Sequence, residues 1–268
     1  MNLQEQLNIV MPNIRQHPKY AALPFRLGTT SYVYPADILP NVERLTGKVD
    51  DIQLILFEGE FSNLPSPEVI AQLKTLGQQH NLSYTIHCPI NLKLGDADES
   101  LRQKAVESHR YIMKLTRDIA HLFVVHAEGL KAEESAELFV KRIDKSFSEL
   151  LPHVPPEIPV CLENLDYPME VLDPILVKYN LSVCLDNAHF MVNGYDAATY
   201  LQKYGSRCKI VHFQGSTESK GHLALPQGDE LDLRQWLDYL RQFTGTVCLE
   251  LFDTIDTLES INYMLENF

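Results

Sequence analysis

Eight short apolar runs, each followed by a polar turn and then by a longer amphipathic stretch, constrain the fold of this chain more than any other feature. The runs are Arg26–Thr30, Ile52–Phe57, Ser83–His87, Leu122–His126, Val160–Glu163, Ser182–Asp186, Lys209–Phe213 and Thr246–Leu251. Each is only four to six residues long and rich in Val, Ile, Leu or Thr, as buried parallel strands are. Between and after them the spacing predicts helices over Ala36–Leu45, Pro67–His80, Glu99–Ile119, Glu133–Leu151, Met169–Tyr179, Ala197–Tyr204, Leu233–Phe243 and Leu258–Glu266. Eight strands alternating with eight helices predict an α/β chain closed into a single (β/α)8 barrel over residues 25–268, preceded by an N-terminal helical arm over 1–24. A length of 268 residues suits one such barrel. Ser66-Pro67 reads as a helix N-cap followed by proline in the first turn, Asp196 as a second cap, and Gly205 as the left-handed residue ending that helix. The irregular stretch Gln214–Asp229 is expected to be a lid.

Six of the runs carry at their ends residues of metal-ligand type: His87, His126, Glu163, Asp186, His212 and Glu250. In a barrel the C-terminal strand ends converge on one mouth, so these groups are expected to meet there. Three carboxylates and an imidazole (Glu163, Asp186, His212, Glu250) suit a hard or borderline divalent ion such as Mn²⁺ or Zn²⁺. His87 and His126 complete a second site if Glu163 bridges, which sets the expected number at one to three ions, with two fitting best. His189, three residues after Asp186, and His222, in the expected lid, are candidates for a third ion or for acid–base work. The segments GTTSYVYP and FEGEF place Tyr32, Tyr34, Phe57, Glu58 and Phe61 near the mouth, with Tyr32, Tyr34 and Phe61 as candidate substrate contacts. His17, His80, His109, His121 and His153 read as surface or packing residues.

Composition narrows the function. A formal net charge of −13 disfavours a nucleic-acid partner and favours a small-molecule substrate drawn in by metal charge. No apolar run reaches the ~20 residues that cross a bilayer. The segment MNLQEQLNIVMPNIRQHPKY carries charge where a signal peptide needs an apolar core, so a cytoplasmic location is expected, with no membrane and no obligatory protein partner. Of the five cysteines, Cys161, Cys184 and Cys248 each lie two residues before a proposed ligand, so strand alternation points them at the barrel axis as small apolar residues. No CxxC is present, which excludes a zinc ribbon or a thioredoxin motif.

The stretch CLDNAHFMVNGYD resembles the CxDxxHxxxxGYD segment of endonuclease-IV-type enzymes, in the xylose-isomerase-like (AP endonuclease 2) TIM-barrel superfamily. That resemblance implies a first ion on His87, His126 and Glu163, and a second on Glu163, Asp186, His212 and Glu250. It implies a third on His189 and an Asp-x-His pair in the lid. The pair here reads Lys220-Gly221-His222, and a protonated lysine cannot ligate a cation, so Lys220 becomes a candidate contact for a substrate phosphate. The segments FRLGTTSYVYPADILPNVERL, VDDIQLILFE, NLPSP and YTIHCPINLKLG resemble the cobamide-remodelling phosphodiesterases of the same superfamily. This implies a metal-dependent hydrolase that cleaves the phosphoribosyl bond in the nucleotide loop of cobamides, the vitamin B12 group, for remodelling and salvage. Its products would be cobinamide phosphate and an α-riboside. The alternatives are a single-metal sugar or hydroxy-acid isomerase or epimerase, a corrinoid-binding protein without catalysis, and an endonuclease acting on abasic DNA.

Overall fold

The computed structural model describes residues 8–268. Strands β1 (Arg26–Thr30), β2 (Asp51–Ile55), β3 (Ser83–His87), β4 (Ala120–Val125), β5 (Val160–Glu163), β6 (Ser182–Asp186) and β7 (Cys208–Phe213) are joined by a later one, β10 (Thr246–Leu249). All eight run parallel and close into a barrel, with β10 hydrogen-bonded to β7 on one side and to β1 on the other. The other two strands, β8 (Gly215–Thr217) and β9 (Lys220–Leu223), form an antiparallel hairpin. Around the barrel lie α1 (Ile38–Leu45), α2 (Pro67–His80), α3 (Glu99–Thr116), α4 (Ala136–Leu150), α5 (Asp173–Lys178), α6 (Asn187–Asn193), α7 (Ala197–Tyr204), α8 (Glu230–Leu240) and α9 (Thr254–Asn267).

The helices begin where their sequences provide caps. The Ser66 hydroxyl accepts from the Val69 N–H with Pro67 in the first turn, and Asp196 accepts from the N–H groups of Ala198 and Thr199. Asp98, Ser135, Asp229 and Asp253 do the same for α3, α4, α8 and α9.

Strand alternation divides the interior in two. One apolar layer packs strands against helices, with Trp236, Phe123, Phe139, Phe147 and Leu27 fully buried. Burying each such side chain contributes about 1.5–3 kcal/mol relative to leaving it in water. The other, inside the barrel, is a plug of Leu122, Val124, Cys161, Cys184, Ile210 and Cys248. Burial pushes the Cys161, Cys184 and Cys248 thiols above their ordinary range, so they fill space as neutral groups. This plug is the floor on which the strand-end residues stand.

In the fold, the structure corrects one expectation, at Gly205, and adds detail at three other places. Gly205 is right-handed (φ −54°, ψ −35°) because the chain tightens into a 3₁₀ turn over Gly205–Arg207. A Cβ there would lie 3.3 Å from the Tyr239 ring, which accounts for the glycine better than handedness does. The stretch Gln214–Asp229 is ordered as the β8–β9 hairpin and a 3₁₀ turn, Leu225–Gln227, with Asp229 N–H bonded to Ser216 O. A helix, α6, follows β6 directly, capped by Asp186 and closed by left-handed Gly194. Part of the expected arm, residues 1–7, lies outside the described residues. From Ile14 to Ala22 the arm contains two 3₁₀ turns, each ended where Pro18 and Pro24 hold His17 and Leu23 extended. It is tied down by Arg15 and Tyr20, which contact Asp50 at 3.2 and 2.9 Å. Among the described residues, no helix is long and apolar enough to cross a membrane.

Candidate metal centre

The strand ends bring His87, His126, Glu163, Asp186, His212 and Glu250 into one cluster above the plug, with His87 and His212 at 3 % and 0 % exposure. Glu163 is the hub. Its Oε2 lies 3.3 Å from His87 Nε2 and 3.1 Å from His126 Nε2, and its Oε1 lies 3.2 Å from His212 Nδ1. His212 Nδ1 is also 3.6 Å from Asp186 Oδ2 and 3.4 Å from Glu250 Oε2.

Each imidazole is oriented by a bond from its other nitrogen. His87 Nδ1–H donates to the Cys88 carbonyl at 3.0 Å, and His126 Nδ1–H donates to Glu128 Oε1 at 3.1 Å. His212 Nε2–H donates to Gln53 Oε1 at 2.8 Å, while Gln53 Nε2 turns toward Glu250 Oε1 at 3.5 Å. The second nitrogen of each ring therefore aims its lone pair at Glu163. Lone pairs facing a carboxylate at hydrogen-bond distance need a positive charge between them, supplied by protons or by a cation.

The electrostatics carry the same signature. Burial pushes Glu250 up, and the charges of Asp186 and Glu163 add to this, raising it to about 8. Burial pulls His126 down, but Glu163 and Glu128 outweigh it and hold the ring up to about 10. Burial also opposes the shifts of His212, held above its ordinary value by the anionic groups around it, and of Glu163, held well below by His212 and His126. Without a cation the cluster stores protons, and a divalent ion would displace them. Among the described residues, four groupings have donor atoms within 4.8 Å of one another: His87–His126–Glu163 and Glu163–Asp186–His212–Glu250, which overlap at Glu163, and two smaller combinations, His87–His212–Glu250 and Glu163–Cys184–His212. Mixed imidazole and carboxylate donors fit Zn²⁺ or Mn²⁺.

Four amides and one acid that hold these side chains in place carry no strand-end signal in the sequence. Gln214 Nε2 donates to Asp186 Oδ2 at 2.9 Å and reaches Glu250 Oε2 at 3.4 Å. Asn164 brackets the Asp186 backbone, accepting its N–H at 2.7 Å and donating to its carbonyl at 3.1 Å. Asn187 fixes the start of the hairpin strand, exchanging two bonds with the Gln214 backbone. Gln53, an amide in the apolar run DIQLI, and Glu128, two residues past His126, were the detectable members.

The remaining sequence candidates separate. His189 stands on the first turn of α6 with its Nε2 3.7 Å from Glu163 Oε1 and its side chain 38 % exposed. His222 takes a left-handed backbone (φ 52°), its N–H donates to Gln214 Oε1, and its Nδ1–H donates to the Glu250 carbonyl at 3.0 Å. Lys220 is exposed on the hairpin, in the field of Asp256. Tyr32 is half-buried at the rim, its ring 5.1 Å from Phe57. Tyr34 turns into the core beneath the Arg44 guanidinium, because the Asn41 side chain bonds both its N–H and its carbonyl. Phe61 sits on a 3₁₀ turn and packs its ring 4.7 Å from Tyr111 of α3, outside the mouth.

Two glycines let the loop carrying Glu128 form. The Gly95 N–H donates to the Glu128 carbonyl at 2.8 Å, and Gly129 has φ +117° with a hypothetical Cβ only 2.5 Å from the Gly95 carbonyl carbon. Gly129→Ala is expected to cost roughly 1–3 kcal/mol through forced backbone strain. By shifting Glu128 it should also weaken cation binding about 10–100-fold. Urea unfolding and metal titration of the variant check both; unchanged affinity would separate Glu128 from the site.

The family model described as the xylose isomerase-like TIM barrel (AP endonuclease 2) matches residues 48–267 of this chain. The probable endonuclease 4 of Aquifex aeolicus (strain VF5) is 29 % identical over 128 residues, covering 42 % of this chain and 44 % of that protein, so the match spans less than half of the relative. Among solved structures, a D-tagatose 3-epimerase-like protein superposes with a TM-score of 0.75 at 18 % identity, covering 91 % of this chain and 97 % of that one. Endonuclease IV from Thermus thermophilus gives 0.69 at 21 % identity, covering 91 % and 100 %. These structural likenesses speak to the fold. With the family match running from before β2 to the last residue of α9, the chain belongs to the xylose isomerase-like TIM-barrel family.

Proposed function

We propose that this chain is a metal-dependent phosphodiesterase that hydrolyses the phosphoribosyl bond in the nucleotide loop of cobamides, releasing cobinamide phosphate and an α-riboside. One observation carries the hydrolytic part: Glu163 is shared by two donor sets, one with two imidazoles and one with two further carboxylates and His212. The substrate rests on the N-terminal segments that resemble cobamide-remodelling phosphodiesterases. These residues would hold divalent cations, which when bound would supply Lewis acidity to a phosphodiester. The chain's own residues do the rest. Glu128, Gln53 and the Cys88 carbonyl hold three imidazoles in fixed tautomers, and Gln214 with Asn164 fixes Asp186. His189, at the rim and within reach of Glu163, is placed to hand a proton to the departing oxygen.

The test is incubation of Mn²⁺- or Zn²⁺-loaded protein with several cobamides, followed by chromatography. Cobinamide phosphate and the riboside are expected; intact cobamide after long incubation overturns the proposal. The epimerase reading keeps one supporting observation, that Glu163, Asp186, His212 and Glu250 form a complete four-donor set without His87 or His126. Hydrogen exchange on ketoses, with one ion per chain, would favour it.

A further inference from the structure

Four rings on the rim touch in sequence. Tyr32 lies 5.1 Å from Phe57, Phe57 6.1 Å from Phe252, and Phe252 5.3 Å from His222, centroid to centroid. They come from the loops after β1, β2 and β10 and from the hairpin, so they line one side of the mouth. Phe57 and Phe252 are each 39 % exposed, although phenylalanine is among the side chains most often buried. His222 joins this row to the centre through its bond to the Glu250 carbonyl. Across the mouth the lining is of another kind. A cavity of about 330 Å³ opens beside the centre, lined by Lys93, His126, Glu128, Asp166, Tyr167 and His189. Those residues follow β3, β4, β5 and β6, and in the closed strand order β4, β5 and β6 stand opposite β1, β2 and β10.

We infer that Tyr32, Phe57 and Phe252 form a seat for the macrocycle of a cobamide, and that the opposite polar cavity takes its ribosyl and base half. The inference rests on the proposed function and adds the orientation of the substrate across the centre. A cobamide is asymmetric in the matching way: a broad ring with an extended face lies on one side of its phosphodiester, and a hydroxyl-bearing nucleoside lies on the other. The row of rings is longer than one nucleobase needs, and its members are tilted to one another by 50° and 42°, a concave apolar surface suited to packing against a broad, puckered ring with methyl-bearing edges. Lys93, Glu128 and Asp166 offer the donors and acceptors that ribose hydroxyls require.

The experiment reads binding rather than turnover. Cobinamide, which carries the macrocycle without the nucleotide loop, is titrated into metal-loaded wild-type protein and a Phe57→Ala/Phe252→Ala variant. The wild type is expected to bind it, and the variant at least tenfold more weakly, with unchanged circular dichroism and metal content. A Phe57→Leu/Phe252→Leu pair, which keeps apolar volume but removes the ring faces, should show the same direction if the alanine pair does not fold. Equal affinity in wild type and variants, no cobinamide binding by the wild type, or loss of riboside binding alone would overturn the inference. The two proposals fail separately. Cobinamide bound through the rings, with cobamides left uncleaved, upholds the seat and refutes the hydrolase; cleavage with unaltered cobinamide affinity does the reverse.

Discussion

Glu163→Gln is expected to lower phosphodiester turnover on the order of 10³-fold, about 4 kcal/mol of transition-state stabilisation, while the barrel stays folded. Glutamine keeps the volume of the buried side chain but removes the charge facing His87, His126 and His212 at 3.3, 3.1 and 3.2 Å. No other residue belongs to both the two-imidazole set and the four-donor set, so none should match this effect alone. Steady-state kinetics with circular dichroism and metal analysis check it. Near wild-type turnover in a folded, metal-loaded Glu163→Gln protein would remove Glu163 from the mechanism.

Chelation is expected to produce the second large effect. A ligand that binds only the folded state at 1,000 times its Kd stabilises that state by about 4 kcal/mol. For a chain of this length that corresponds to a Tm difference of roughly 8–16 °C between loaded and stripped protein. The cause lies in the floor of the mouth: Glu163, Asp186 and Glu250 are nearly fully buried around His212, and cation charge relieves their mutual repulsion. The gain should grow as pH rises from 6 to 8. Below the folded-state values of Glu250, about 8, and His126, about 10, a cation must displace protons, and each displaced proton weakens binding as pH falls. Differential scanning calorimetry with and without a chelator measures this. Identical Tm values would mean that no cation is bound there.

The barrel and the gathering of six strand-end side chains at its mouth were legible because both follow from period and position. Val183–Leu185 and Val160–Leu162 are wholly apolar, and a carboxylate directly after such a run is conspicuous. What escaped depends on residues that do two things. Asp186 ends β6 and also caps α6, with Oδ1 accepting the His189 N–H and Oδ2 the Gln214 amide. The signal for α6 was present in DNAHFMVNG, an Asp cap and a closing Gly194. The β8–β9 hairpin read as loop because Lys220–Leu223 alternates between exposed and half-buried residues and buries none of them. Its geometry rests on a backbone approach that sequence does not display: a Cβ on Gly215 would sit 2.1 Å from the Ala224 carbonyl oxygen. Tyr34 and Phe61 left the mouth because strand alternation ends with the strand, and local bonds to Asn41 and packing on Tyr111 then decide direction. Gln53 and Gln214 are amides, so their role appears only once the rings they orient are in place.

The measurement that bears most directly on all of this is anomalous diffraction from crystals grown with Mn²⁺ or Zn²⁺. Two peaks are expected, one bounded by His87, His126 and Glu163, the other by Glu163, Asp186, His212 and Glu250. A mouth without a peak, in crystals that take up the ion elsewhere, would contradict a shared-carboxylate centre and the phosphodiesterase built on it.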